Sequence, residues 1–193
     1  MNLDSALAWV ALVLWAALLC AVQGALGHTG LLGQSRFDLS LVLCLSLATR
    51  VNSSDFDGVW LACALGRCAV SSDPPLAVMA GFALVLVPVR ILRPVVDLGA
   101  PLARCLLALV CCAALESWLE AVHIARAMDQ AGIAKFPIAH AWQARAQWLT
   151  SGWLLRALAS GFAALLIGPW LARLPGLRNL HRRKLWGAAV SWR

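Results

Sequence analysis

The sequence predicts an all-α integral membrane protein of about six transmembrane helices, two of them short, with both termini on the cytoplasmic side. Three observations predict it. The chain of 193 residues is 62% hydrophobic and 13% charged, with a mean hydropathy of +0.79, whereas soluble domains run near 45–50% apolar and about 25% charged. Its apolar residues fall into successive runs separated by polar, Pro- and Gly-bearing breaks. Its arginines and lysines gather around the fourth-to-fifth connection (Arg90, Arg93, Arg104) and in the C-terminal tail, which the positive-inside rule puts in the cytoplasm. A membrane chain of this length holds about four to six spans and little else. One six-helix domain is therefore expected over residues 1–176, followed by a basic cytoplasmic tail over 177–193.

Residues 5–26 form a long apolar run broken only by Gln23 and Gly24. Asn2 and Asp4 precede it in place of the basic residues of a signal peptide, so it reads as a retained first span. A turn over 27–34, holding His28, follows. The second helix is expected over 38–49, with Asp38 placed to cap its first turn. The third is expected over 55–70, with Asp55 and Asp57 favourable near the positive end of its dipole. The apolar part of each short segment covers only about 18 Å at 1.5 Å per residue, against a bilayer core of about 30 Å. These two segments must extend into their polar flanks, sit shielded by longer neighbours, or form a re-entrant hairpin.

Pro74 and Pro75 can start a fourth helix that runs to about Leu92 with Pro88 inside it, closed by Arg90 and Arg93. The fifth is expected from Leu98 or Pro101 to Ala127, apolar over 102–115. Residues 128–141, with Gly132 and Pro137 as breakers, read as the one substantial loop, facing outward. The sixth helix begins amphipathically near His140, becomes apolar over 153–171, and ends at Pro175 and Gly176.

The formal charge of +7 owes much to residues 173–193, including His181, Arg182, Arg183 and Lys184. No motif that reads DNA or RNA accompanies it, so nucleic acid is not an expected partner. Anionic lipid headgroups are. Seven cysteines lie almost wholly inside apolar runs and none forms C-x-x-C, which fits small packing residues rather than disulfides or haem attachment. Tyrosine is absent and there are ten tryptophans, so Trp alone supplies the interfacial aromatic belt.

Few residues suggest chemistry. Glu116, Glu120 and His123 are spaced to share one helix face. Glu120-x-x-His123 is half of a di-iron carboxylate motif whose second copy is missing from the chain. The plainer reading pairs this face with Arg126 or Arg145 at the outer interface, and an intermediate one makes it a partner-binding face. Asp57-Gly58 followed by Arg67 and Asp73 is similar to part of the metal-binding signature of membrane phosphatidyltransferases, but Leu61, Ala62 and Val70 stand at its decisive positions. Arg67 is the sharpest single residue, an ionisable group inside a short apolar segment, and it is expected either to be functional or to snorkel from the helix end. No catalytic residue, metal site or cofactor is expected.

Three stretches carry a family resemblance. Arg36-Phe37-Asp38 leads into a Leu-rich run ending at Ala48. Val59 to Gly66 is followed by the turn Ser71-Ser72-Asp73-Pro74-Pro75-Leu76. Leu154 to Ala163 is followed by Gly168-Pro169-Trp170-Leu171-Ala172-Arg173. Together they resemble the bacterial rod shape-determining protein MreD. That resemblance implies a non-enzymatic, multi-pass component of the inner membrane. It would bind the bitopic protein MreC and link cytoplasmic MreB filaments to peptidoglycan synthesis. The partner contacts it implies lie on helix faces and in the turns near Arg36, Asp38, Asp73 and Pro75, and Arg67, Glu116 and Glu120 join them as candidate partner-binding residues from the reading of the residues themselves. The same architecture is similar to the substrate-binding subunits of energy-coupling-factor vitamin transporters, so a ligand-binding reading stays open beside it.

Overall fold

All ten residues of one short helix, α2 (Leu39–Ala48), are buried, and the other helices are arranged around it. The computed structural model describes residues 3–28, 38–48, 50–52, 55–93, 100–130 and 153–180. Among them the chain is all-helical. α1 (Leu3–His28), α3 (Phe56–Cys68), α4 (Pro75–Leu92), α5 (Pro101–Gln130), α6 (Trp153–Leu166) and the single turn α7 (Gly168–Leu171) accompany α2, and a short 3-10 helix (Leu177–Leu180) follows. Three stretches are long and apolar enough to cross a membrane: Ala6–Ala25 of α1, all of α4, and α5.

Of the three possibilities open to the short segments, shielding by longer neighbours is what α2 adopts. It is only about 15 Å long at 1.5 Å per residue, and it packs against α1, α3, α5, α6 and α7. Lipid never reaches it, so its ends can be polar provided protein groups satisfy them. The outer helices carry the complementary pattern. Leu7, Val10, Leu14 and Leu18 of α1 are exposed at helical spacing, as are Leu102, Leu106 and Val110 of α5 and Leu155, Leu158, Phe162 and Leu166 of α6. Apolar faces of this extent are the kind that lipid tails cover.

Close approach between helices rests on small residues. A Cβ added at Gly66 of α3 would stand 2.5 Å from the Ala16 Cβ and 2.7 Å from the Val13 carbonyl oxygen of α1. α3 therefore touches the backbone of α1 itself. Gly81 of α4 leaves room for Leu115 and Trp118 of α5, and the Trp118 indole N–H donates to the Ala77 carbonyl at 2.9 Å.

Several boundaries differ from the sequence reading. α1 continues to His28, two residues past the expected end at Leu26. α5 continues to Gln130, so residues 128–130 are helical rather than loop. The sixth apolar run is not one helix: it breaks at Ile167 and resumes as α7. Pro169 has no N–H to donate and its ring crowds the carbonyl four residues earlier, which interrupts the ladder there. Arg36, residues 131–152 and the tail beyond Leu180, for which the sequence carries expectations, lie outside the described residues.

Candidate functional site: a charged cleft at one end of the bundle

The last turns of α1 and α3 lie near Asp38 at the start of α2, the Ser71–Asp73 turn before α4 and the first turn of α6. Together with the second half of α5 they enclose a cavity of about 440 Å³. Four carboxylates (Asp38, Asp73, Glu116, Glu120), two guanidiniums (Arg67, Arg156) and one imidazole (His123) line it.

Asp38 anchors this end. One carboxylate oxygen accepts from the Leu41 backbone N–H at 3.0 Å, the N-cap bond, and from the Ser40 hydroxyl at 2.8 Å. Its other oxygen pairs with Arg67. Two further N–H groups of this helix start are met by side chains. The Asp38 N–H donates to the Ser160 hydroxyl at 2.9 Å and the Leu39 N–H donates to the Gln23 amide oxygen at 3.2 Å. A buried helix end needs such partners because water cannot supply them.

Arg67 is 12% exposed and Asp38 3%. Two ions so placed persist only when each is paired. The second branch of the Arg67 guanidinium lies 4.0 Å from Glu116, and Arg156 donates to the other Glu116 oxygen at 3.3 Å. The result is a row of alternating sign, Asp38–Arg67–Glu116–Arg156, drawn from α2, α3, α5 and α6. Glu116 thus pairs with Arg67 and Arg156 and not with Arg126, which corrects the expectation from spacing. The alternative partner, Arg145, lies outside the described residues.

A second group sits across the cavity. The Asp73 carboxylate accepts from the Ser71 hydroxyl at 2.6 Å and lies 2.9 Å from the His123 ring nitrogen. Burial pushes the Asp73 carboxyl up. The hydrogen bonds from Ser71 and His123, with the Arg67 charge, outweigh burial and hold it below the ordinary carboxylate range. Ser, Asp and His are all present, but in the wrong order for nucleophilic catalysis. A hydroxyl is activated by a histidine that the carboxylate orients, whereas here the carboxylate stands between the other two.

Asp38, Arg67, Asp73, Glu116 and Glu120, five of the residues singled out from sequence, therefore meet in one place. Pro75 does not line the cavity and stands at the first position of α4, where its missing N–H costs nothing. Sequence reasoning missed Arg156, Gln23 and Ser160. A signal for Arg156 was present, since it is an ionisable residue inside the apolar run 153–171, the same property that singled out Arg67.

The geometry bears on two chemical readings. Asp57 opens α3 and pairs with Arg90, whereas Asp73 follows the other end of the same helix. At 1.5 Å per residue they are separated by about 20 Å, too far to share a metal ion as phosphatidyltransferase carboxylates must. Among the described residues, no three His, Cys, Asp or Glu side chains converge as metal ligands do, and His123 bonds Asp73. Comparison with family models, curated proteins and solved structures found no match to this chain.

Proposed function

We propose that this protein is a non-enzymatic, multi-pass component of the bacterial cell-elongation machinery, of the MreD type. In this reading six segments cross the inner membrane, and both termini are cytoplasmic. The observation that supports it is the polarity of the bundle. The charged cleft lies at one end, while Arg50, Arg93, Arg104 and Arg173 lie toward the other, around the α2–α3 turn and the start of α5. The positive-inside rule then turns the arginine end to the cytoplasm and the cleft to the periplasm. A scaffold linking an internal filament to external wall synthesis needs this distinction between its two faces. On this proposal, Asp38, Arg67, Asp73, Glu116 and Glu120 hold the periplasmic face in shape, and a bitopic MreC-like partner contacts its rim.

The test is affinity purification from native membranes in mild detergent, followed by mass spectrometry. Recovery of a single-span periplasmic coiled-coil protein with elongation enzymes supports the scaffold. Normal cell shape and wall insertion after depletion of the protein would overturn it.

The cleft itself favours a second reading, a membrane-embedded subunit that captures a small polar ligand, as in energy-coupling-factor vitamin transporters. Its volume falls within the range of small-molecule pockets, about 300–1,000 Å³. Co-purification of ATPase subunits together with saturable binding of a vitamin would favour this second reading, and silence across a vitamin panel would remove it.

A further inference from the structure

The end of the bundle opposite the cleft holds a group of arginines, and Asp57 at that end is engaged by Arg90. Arg50 stands in the turn after α2, where its N–H donates to the Leu47 carbonyl. α7 is drawn against the end of α2 closely enough that a Cβ on Gly168 would lie 2.7 Å from the Ser46 hydroxyl oxygen. Arg173 lies two residues beyond α7, and its charge acts on Arg50. Arg104 belongs to the first turns of α5, which also packs on α2. Arg93 adds a fourth guanidinium by donating to the Val51 carbonyl, next to Arg50 in the chain. Among the described residues none of Arg50, Arg104 and Arg173 has an ion-pair partner.

Two details separate this cluster from ordinary surface arginines. Burial, with the charges of Arg173 and Arg104, lowers the affinity of the Arg50 guanidinium for its proton, so each of these two charges acts on Arg50. The Arg104 Nε–H is buried and has no hydrogen-bond acceptor among the described residues. A buried donor without an acceptor is uncommon and calls for an explanation, and like charges gathered around it raise the potential at that point.

We propose that Arg50, Arg104 and Arg173 form a site for a phosphate group, supplied by the headgroup of an anionic phospholipid at this membrane face. Guanidinium forks match phosphate oxygens in geometry and give charge-assisted hydrogen bonds. The cluster stands at the ends of α2 and α7 and the start of α5, the level at which headgroups meet a spanning bundle, and anionic lipids concentrate on the cytoplasmic leaflet. The proposal rests on the membrane character of the chain and not on the elongation reading.

The full chain, purified in mild detergent, is reconstituted in nanodiscs of phosphatidylcholine alone or with phosphatidylglycerol, and its thermal unfolding is compared. Native mass spectrometry counts the lipid retained. Phosphatidylglycerol is expected to raise the unfolding temperature and to be retained over phosphatidylcholine. Arg104→Gln lowers that preference roughly tenfold or more, as loss of a charge-assisted hydrogen bond should. Arg104→Lys, which keeps the charge but loses the fork, must also lose most of it. Arg90→Gln, at the same end but engaged with Asp57, must keep it. Inorganic phosphate, compared with chloride at equal ionic strength, distinguishes the source. If it protects as well as the lipid does and Arg104→Gln abolishes the effect, the phosphate site stands and free phosphate is its ligand. Equal responses in wild type, Arg104→Gln and Arg104→Lys would overturn the proposal. So would an Arg90→Gln loss as large as that of Arg104→Gln.

Discussion

Asp38 and Arg67, 29 residues apart in the chain, form a buried ion pair in which the acid also caps the helix it precedes. One carboxylate thus joins the start of α2 to the end of α3. Local helix chemistry and long-range packing share a single side chain.

Substituting Asp38→Asn separates these two roles. Asn caps nearly as well as Asp, but it leaves Arg67 charged and unpaired by its nearest acid. Removing one partner of a buried pair costs about 3–5 kcal/mol, so the purified variant should unfold at markedly lower temperature in detergent. Adding Arg67→Met to Asp38→Asn should recover much of the loss. A single variant as stable as wild type would show that the pair contributes little.

The outer link of the row should be weaker. Arg156 is 36% exposed and Glu116 24%, so solvent screens their attraction. A double-mutant cycle with Arg156→Gln and Glu116→Gln is expected to give a coupling of about 0.2–1 kcal/mol. A coupling of several kcal/mol would mean that the pair is dry in the membrane.

Gly66→Val should drive α3 away from α1, because its Cβ would meet backbone and not a movable side chain. Overpacking of this kind costs about 1–3 kcal/mol. Gly24→Ala is the control, since nothing lies within 4 Å of a Cβ there. The ratio of folded to aggregated protein on size-exclusion chromatography reads both.

Asp73 sets an acid dependence. Its ordinary value is 3.8, and the fold holds it lower, with Ser71, His123 of α5 and Arg67 of α3 facing it. A depressed carboxylate contributes stability that is complete above the unfolded value and is lost as pH falls through the folded one. The stability gap between wild type and Asp73→Asn should therefore be flat from neutral pH down to about pH 4 and close only below it. A gap that closes near neutrality would assign the effect to another group.

Much of this arrangement was legible in the sequence, and the remainder was not for physical reasons. Asp38 as a cap and Pro74-Pro75 as a helix start are local, written within four residues, and both hold. The shared face of Glu116, Glu120 and His123 also follows from spacing, and all three line the cleft. Its partners do not follow from spacing. Arg156 lies 40 residues from Glu116, and only the packing of α6 on α5 brings them together. Arg126 was nearer in sequence and lost because it falls on the exposed side of α5. The break at Ile167 was written in Pro169, but a continuous apolar run hid it.

The complete enclosure of α2 bears on how the protein is made. α2 leaves the ribosome before α5, α6 and α7, yet these later helices form part of its cover. For that interval its short apolar cylinder and the Asp38 carboxylate have neither a full membrane span nor their final neighbours. Ser160, which accepts the Asp38 N–H, is synthesised 122 residues later. Biogenesis must therefore shelter α2 until the second half of the chain arrives, and truncation before α6 should leave a product that membrane quality control removes.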